Sequence, residues 1–298
     1  MMDKKKIKLG IAPIAWTNDD MPDLGGGNTF EQCVSEMALA GFRGCEVGNK
    51  YPTKINLLKK ALKLRRLQIA NCWFSSFLLT QDYQTVESDF LKKCKFLKAM
   101  GAKVIGISEQ SYSIQGQINT AVFDNKYVMN DDEWERLTSG MNGLGAAAKE
   151  MGMTLTYHHH MGTVIQSKAE IDKMLALTDP ALVFLLFDSG HLAYCGEDYA
   201  AVLKDYATRI KHVHLKDIRP EIVAKVKEEG LSFLQGVRLG AFTIPGDGCI
   251  DFQPLFDILD GEGYEGWFIV EAEQDPATAN PLEYAIKARK YIKRTAGL

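Results

Sequence analysis

Hydrophobic and polar positions along this chain form two recurring patterns, short apolar runs and longer segments with helical periodicity. Residues 183–187 are five apolar residues without polar alternation, which is typical of a strand buried on both faces of a parallel sheet. A second short β-prone run covers 210–215. Polar residues crowd the end of each run, where α/β proteins bind their ligands. We therefore expect the function to reside at these strand ends.

The two patterns alternate along the whole chain. Strands are predicted at 7–12, 45–47, 67–74, 103–109, 154–158, 183–187, 210–215 and 266–270. Helices are predicted at 28–40, 57–65, 83–100, 131–151, 168–177, 198–206, 252–262 and 282–295. Eight strands, each followed by a helical segment, predict an α/β fold of the (β/α)8 TIM-barrel type. An open doubly wound sheet is disfavoured, because its first strand usually leads directly into a glycine-rich phosphate turn, whereas glycines 25–27 follow a long polar loop.

The length of 298 residues fits a single barrel domain over 1–298, and no linker-like stretch divides it. One connection, at about 220–251, is oversized and is predicted to include a helix at 221–229. This segment is long enough to cover the mouth of the barrel as a cap that excludes water from a reaction. A subunit contact is the alternative interpretation of the same segment.

Composition narrows the class of protein. With 46% hydrophobic residues, 24% charged residues and a net charge of -3, the chain is typical of a globular enzyme and not of a nucleic-acid-binding protein. No apolar run has the length of a signal peptide or a membrane span, so we expect a cytoplasmic protein without a membrane partner. Six scattered cysteines without a CxxC pair favour reduced thiols.

Candidate chemistry is concentrated at the strand ends. They supply Glu46, Trp73, Glu109, His158, His160, Asp188, His191, His214, Lys216 and Glu271. Five of the six histidines lie at three of these ends, which favours a shared metal or acid–base site over scattered packing residues. Imidazoles and carboxylates together suit Mn²⁺, Co²⁺, Fe²⁺ or Zn²⁺. One ligand from each of four strand ends gives the predicted metal set: His158, Asp188, His214 and Glu271.

Strand alternation separates neighbouring histidines. His158 and His160 share one face of the fifth strand, and His159 has the other. His212 and His214 also share a face, but His214 is nearer the end of its strand. We therefore interpret His212 as a packing residue or a support for the site.

Several motifs at these positions resemble the xylose-isomerase-like barrels. They include Glu46-Val-Gly, Trp73-Phe-Ser, Phe187-Asp-Ser-Gly-His191, His212-Val-His-Leu-Lys-Asp217 and Val270-Glu-Ala-Glu-Gln-Asp275. Within that superfamily, the stretches Trp16-Thr-Asn-Asp19 and His158-His-His-Met-Gly-Thr163 are most similar to the myo-inosose dehydratase family of inositol catabolism. The resemblance covers nearly the whole chain.

The resemblance also implies a cofactor. Superfamily metal sites commonly use Glu, Asp, His and Glu from the fifth to eighth strands, and Asp188, His214 and Glu271 match three of these positions. The fifth-strand glutamate falls on His158, so either His158 or His160 replaces it. The family is associated with Mn²⁺ or Co²⁺ and with glutathione, and a homo-oligomer is a family-level expectation.

The implied activity is that of a lyase, eliminating water from 2-keto-myo-inositol (scyllo-inosose) to give a trihydroxycyclohexane-1,2-dione. Such a reaction needs a base for the carbon-bound proton and an acid for the departing hydroxyl. The candidates for these two roles are His191, Glu109 and His160.

The remaining residues of the set are expected to contact the cyclic polyol ketone. Glu46 and Trp73 are predicted to shape its pocket, and Lys216 either holds an oxyanion there or pairs with Asp217. Two rival functions remain open at this point. One is a metal-dependent keto-sugar or inosose isomerase or epimerase on the same barrel, and the other is a sugar-binding barrel without catalysis.

Overall fold

The computed structural model describes residues 2–3 and 5–298. Its strands are β1 (Ile7–Ile11), β2 (Gly44–Glu46), β3 (Gln68–Asn71), β4 (Trp73–Ser76), β5 (Val104–Glu109), β6 (Thr154–His158), β7 (Val183–Asp188), β8 (Ile210–Leu215), β9 (Asp217–Ile218), β10 (Phe242–Thr243) and β11 (Gly266–Val270). Its α-helices are α1 (Phe30–Leu39), α2 (Ile55–Leu64), α3 (Tyr83–Met100), α4 (Asp131–Glu150), α5 (Lys168–Leu177), α6 (Ser189–Cys195), α7 (Tyr199–Tyr206), α8 (Pro220–Glu228), α9 (Phe233–Arg238), α10 (Gln253–Gly261) and α11 (Pro281–Ala296).

Nine parallel strands form the barrel, in the order β3-β2-β1-β11-β8-β7-β6-β5-β4. The two ends of this order, β3 and β4, are consecutive in the chain and separated only by Cys72. The predicted third strand is therefore one interrupted strand, whose first half pairs with β2 and whose second half pairs with β5. This interrupted strand closes the sheet, and the predicted TIM-barrel fold is confirmed.

Local sequence explains where the outer helices begin and end. Asn130 and Glu133 form a capping box at the start of α4, and Ser167 and Glu170 form another at α5. Helix α3 ends at Gly101, which has a φ of 87° that favours glycine. Helices α6 and α9, of 7 and 6 residues, were not predicted. Segments this short carry too few turns to show helical periodicity.

The long connection contains more structure than the sequence indicates. The predicted helix at 221–229 is α8, and α9 and the antiparallel pair β9–β10 were missed. Its apolar side chains form a second core cluster with residues of the loops after β1 and β5, including Met21 and Ile114. Rings of Phe233 and Phe242 from this segment also contact His191. The connection therefore packs beside the strand ends that carry the candidate chemistry.

The main core lies inside the barrel and between the strands and their helices. All six cysteines are free thiols, as predicted. Within residues 2–3 and 5–298, no helix is both long and apolar enough to cross a membrane.

Candidate active site

A cavity of about 310 Å³ opens where the barrel strands end. This is the carboxyl end of the barrel, where TIM-barrel enzymes place their active sites. Polar and aromatic side chains from strand ends and the following loops line it: Asp19, Asp20, Glu46, Asn71, Trp73, Gln115, His158, His160, His214, Glu271 and Glu273.

The structure brings the four predicted metal ligands together. His158 Nε2 lies 3.4 Å from Asp188 Oδ2, and His214 Nδ1 lies 3.4 Å from the same oxygen. Glu271 Oε2 is 3.0 Å from His214 Nδ1. These side chains converge because β6, β7, β8 and β11 are neighbours in the sheet. Asp188 lies directly opposite His214 in the register of β7 and β8. The four side chains thus come from the ends of four adjacent strands, and their role as metal ligands stays a prediction.

Three of these converging atoms are buried and contact only one another and Glu271, without hydrogen-bond geometry: His158 Nε2, Asp188 Oδ2 and His214 Nδ1. Leaving buried polar atoms unpaired costs about 1–3 kcal/mol each, so an ion that binds all three at once would remove a large penalty. Ligands at about 2.0–2.2 Å from one ion lie roughly 2.8–3.6 Å from each other, from octahedral to tetrahedral geometry. The observed separations fit that range, and the mixed imidazole and carboxylate set suits a divalent cation.

The second nitrogen of His214 has a different neighbour. His214 Nε2 lies 3.1 Å from Glu46 Oε1, which also accepts hydrogen bonds from His212 Nε2 at 2.9 Å and from Asn71 Nδ2 at 3.0 Å. His212 is therefore a buried support for Glu46, in agreement with its predicted secondary role. Glu46 faces the cavity as predicted, but one of its oxygens is fully occupied by these three donors.

Lys216 is fully buried behind the cavity wall. Its ammonium group donates to Glu271 Oε1 at 2.8 Å and to Glu273 Oε1 at 2.5 Å, and lies 3.1 Å from His191 Nε2. The alternative pairing of Lys216 with Asp217 was wrong. Asp217 instead accepts backbone N–H groups of the connection, including those of Gly246 and Ile250, because the chain turns back over its carboxylate.

The rings of His160 and His191 are in contact, with centroids 3.7 Å apart and planes tilted by 41°. His160 lines the cavity, and its Nδ1 lies 2.8 Å from the carbonyl oxygen of Met161. Since a carbonyl only accepts, Nδ1 carries the proton and Nε2 keeps the lone pair. His191 is fully buried next to Lys216, one layer behind His160. The two candidates for proton transfer thus have different access to the cavity.

The candidate Glu109 does not reach the cavity. Its carboxylate accepts hydrogen bonds from Ser76 Oγ at 2.6 Å, Leu78 N at 3.0 Å and Ser111 N at 3.1 Å. These donors hold the chain after β4 and β5, and they occupy both carboxylate oxygens. The expected acid–base role of Glu109 is therefore corrected to a structural one.

Burial and neighbouring charges shift the titration of the site. Burial raises the pKa of Glu271, but the charges on Lys216 and His214 outweigh it and hold that pKa at about 2. Burial raises the pKa of Glu273 to about 7, despite the opposing charge of Lys216. Burial also lowers the pKa of His158 and, further, that of His160. Both imidazoles are therefore neutral near pH 7, the form that binds metals or accepts a proton.

Comparison with known proteins agrees with this architecture. The family model described as a xylose isomerase-like TIM barrel matches residues 34–295. A Clostridium perfringens protein named inosose dehydratase is 66% identical, with 100% of both chains covered. A Bacillus anthracis protein of the same name is 59% identical, again over 100% of both chains. The chain belongs to the inosose dehydratase family. It is therefore a lyase.

Solved structures more distant than these inosose dehydratases share the fold. The IOLI protein with a bound zinc atom has a TM-score of 0.71 at 14% identity, covering 97% of this chain and 98% of its own. An L-ribulose 3-epimerase has a TM-score of 0.70 at 16% identity, covering 98% and 95%. The probable 3-DHS dehydratase AsbF from Bacillus anthracis has a TM-score of 0.70 at 13% identity, covering 96% and 98%. At these identities the likeness shows the fold alone.

Sequence reasoning missed several cavity residues of this inosose dehydratase family member. Asn71 and Gln115 carry no titratable group, and Gln115 lies in an irregular loop, so neither stood out in the pattern. Glu273 was not among the predicted site residues, but it lines the cavity beside Lys216. Trp73 forms a wall as predicted, with its ring edge-to-face against His158 and His160. The family motif around Glu271 was the one signal that could have indicated Glu273.

Proposed function

We propose that this chain eliminates water from 2-keto-myo-inositol (scyllo-inosose) to give a trihydroxycyclohexane-1,2-dione, with a divalent metal ion as cofactor. The observation that carries the proposal is the set of three unpartnered buried atoms on His158, Asp188 and His214, next to Glu271 at the cavity. The names of the full-length relatives support the substrate. The cavity volume, about 310 Å³, is at the lower end of the range for small-molecule sites.

The metal site is proposed to consist of His158, Asp188, His214 and Glu271. His158 is preferred to His160 as the fifth-strand ligand, because Nε2 of His158 has no partner whereas His160 is oriented by Met161. Mn²⁺ and Co²⁺ are the proposed native ions, since both accept mixed nitrogen and oxygen ligands. When bound, the ion supplies Lewis acidity towards the ketone oxygen and a neighbouring hydroxyl of the substrate.

His160 is the proposed base for the proton next to the ketone. It lines the cavity, and the hydrogen bond from Nδ1 to the Met161 carbonyl leaves Nε2 free to accept a proton. The ring of His191 packs against it and holds its plane. His191 is therefore assigned a positioning role, because its own ring is fully buried.

Glu273 is the proposed acid for the departing hydroxyl. It lines the cavity, and Lys216 holds its carboxyl at 2.5 Å. The same ammonium group also holds Glu271, so Lys216 fixes the separation between the proposed metal ligand and the proposed acid. Lys216 itself orients these carboxylates without lining the cavity, which revises its predicted contact with the substrate.

Residues at the cavity wall are proposed to bind the ring hydroxyls. Trp73 contributes an apolar ring to this wall. Asp20 and Gln115 come from two different loops and are joined by a hydrogen bond of 3.2 Å. The connection at 220–251 packs over the neighbouring loops. We propose that it excludes water and so preserves the enediolate left by proton removal.

The decisive experiment is an ultraviolet assay of chelator-treated protein with 2-keto-myo-inositol, before and after addition of Mn²⁺ or Co²⁺. A metal-restored rise in dione absorbance, absent in His214→Ala, would support the reaction and the site. Substrate rearrangement without absorbance would replace the dehydratase proposal with the epimerase alternative. Substrate binding without any turnover would favour the non-catalytic alternative.

Four further expectations stay predictions from the sequence. They are a single functional domain over 1–298, a cytoplasmic location, a homo-oligomer, and a role for glutathione. The same assay with and without added glutathione tests the last of these.

A further inference from the structure

We propose that Glu46 is a positioning residue for His214. It holds the imidazole so that the Nδ1 lone pair of His214 is directed at the proposed metal site. This inference deepens the proposed function and rests on the metal site proposed there. It replaces the expected contact of Glu46 with substrate by a contact with the imidazole that binds the ion.

The two nitrogens of His214 face opposite environments. Nε2 lies 3.1 Å from Glu46 Oε1, and Nδ1 lies 3.4 Å from Asp188 Oδ2 and 3.0 Å from Glu271 Oε2. An ionised carboxylate only accepts hydrogen bonds, so Nε2 must donate its proton to Glu46. With an ion in place of a proton at Nδ1, Glu46 defines a single tautomer of His214. Hydrogen bonding of this kind also makes a ligand imidazole more basic.

Glu46 is itself held from two other strands. His212 Nε2 and Asn71 Nδ2 donate to the same Oε1 atom, at 2.9 and 3.0 Å. The backbone N–H of Gly106 donates to Asn71 Oδ1 at 2.7 Å, which decides which end of the amide faces Glu46. A side chain at Gly106 would place its Cβ 2.9 Å from Asn71 Nδ2, so the small residue is needed there. The support of His214 therefore extends across β2, β3, β5 and β8.

A competing arrangement places the ion on the other side of His214. Glu46, His212 and His214 also form a group close enough to hold a cation. In that arrangement Nε2 would lose its proton, and Nδ1–H would face Asp188 and Glu271. The unpartnered atoms favour the first arrangement, because His158 Nε2, Asp188 Oδ2 and His214 Nδ1 all lie on the side away from Glu46.

The first test compares the affinity for Zn²⁺, measured by competition with a chelating dye, in the wild type, Glu46→Leu and Glu46→Gln. Loss of a group that orients a metal ligand typically weakens binding about 10–100-fold, and we expect this loss for Glu46→Leu. Glu46→Gln should retain most of the affinity, since its amide oxygen can still accept from His214. The matched control is Glu36→Leu, which removes a carboxylate bonded to Trp16 Nε1 at 2.6 Å, outside the cavity lining.

The second test is ¹⁵N NMR of the histidine rings in the Zn²⁺-loaded protein. We expect a protonated Nε2 on His214 that exchanges slowly with solvent, and faster exchange of that proton in Glu46→Leu. Circular dichroism checks folding. If the leucine variant does not fold, Glu46→Gln is compared with the wild type. Its amide oxygen is a weaker acceptor than the carboxylate, so the Nε2 proton of His214 should exchange faster in that variant.

The outcomes separate the two levels of the proposal. Zn²⁺ affinity in Glu46→Leu equal to that of Glu36→Leu would overturn the role of Glu46 while leaving the metal site in place. An Nε2-bound ion in the NMR spectrum would also overturn it, in favour of the competing arrangement. Failure of the wild type to bind Zn²⁺, Mn²⁺ or Co²⁺ would overturn the metal site of the proposed function, and the role of Glu46 with it.

Discussion

Two carboxylates of this protein, Glu109 and Asp188, end barrel strands and are fully buried, yet they have different surroundings. Glu109 receives a hydroxyl and two backbone N–H groups, which occupy both of its oxygens. Asp188 receives the backbone N–H of His191 on one oxygen and keeps the other unpartnered, facing two imidazoles. The comparison teaches that burial at a strand end does not decide whether a carboxylate can bind a ligand, because the fold leaves one oxygen free on Asp188 and none on Glu109.

The largest expected difference concerns activity. Asp188→Asn should lower kcat/KM for 2-keto-myo-inositol at least about 1,000-fold, because a Lewis acid contributes several kcal/mol and each 1.36 kcal/mol is tenfold. The isosteric Glu109→Gln should retain kcat/KM within a few-fold, measured on folded protein with saturating Mn²⁺. Equal losses in the two variants would abolish the distinction between the two carboxylates.

A second expected difference concerns stabilisation by metal. Mn²⁺ at about 100 times its Kd should raise the free energy of unfolding of the wild type by about 2.7 kcal/mol, since the ion binds only the folded chain. Urea unfolding with and without Mn²⁺ measures the change. The increase should persist in Glu109→Gln and vanish in Asp188→Asn. Its survival in Asp188→Asn would place the ion elsewhere.

A third prediction concerns the hydrogen bonds of Glu109 and their contribution to the free energy of unfolding. In Glu109→Gln the NH₂ group of the amide would face the backbone N–H of either Leu78 or Ser111. That N–H group would then lose the acceptor that the carboxylate now provides. We expect the free energy of unfolding to fall by about 1–3 kcal/mol, the usual cost of an unsatisfied buried group. Urea unfolding of metal-free protein measures it. An unchanged midpoint would mean that these hydrogen bonds do not stabilise the fold.

The smallest expected effect is a pH dependence. Burial raises the pKa of Glu109 above its usual 4.5, so the folded state holds this proton more tightly than the unfolded state. Stability contributed by the protonated form is present below pH 4.5 and is lost as the pH rises through the folded-state pKa. The stability advantage of the wild type over Glu109→Gln should therefore shrink with rising pH. Parallel pH profiles of the two proteins would contradict this.

Much of the fold was predictable because each element carries a local signal. The apolar run of β7 and the capping residues of α4 and α5 each specify their own element without help from the rest of the chain. The interruption at Cys72 was not predictable, because it depends on β3 and β4 pairing with different neighbours. The short helix α9 was missed because six residues carry too few turns to show helical periodicity.

For the site, the sequence determined which residue types stand at which strand ends, and parallel β pairing then places Asp188, His214 and Glu271 side by side. Only the tertiary structure decided what each side chain contacts. It directed Lys216 to Glu271 and Glu273 instead of Asp217. It also brought Ser76 and Leu78, more than 30 residues away in the chain, to the carboxylate of Glu109. The physical reason is that strand order follows from local periodicity, whereas the partner of a buried polar atom depends on donors from distant segments.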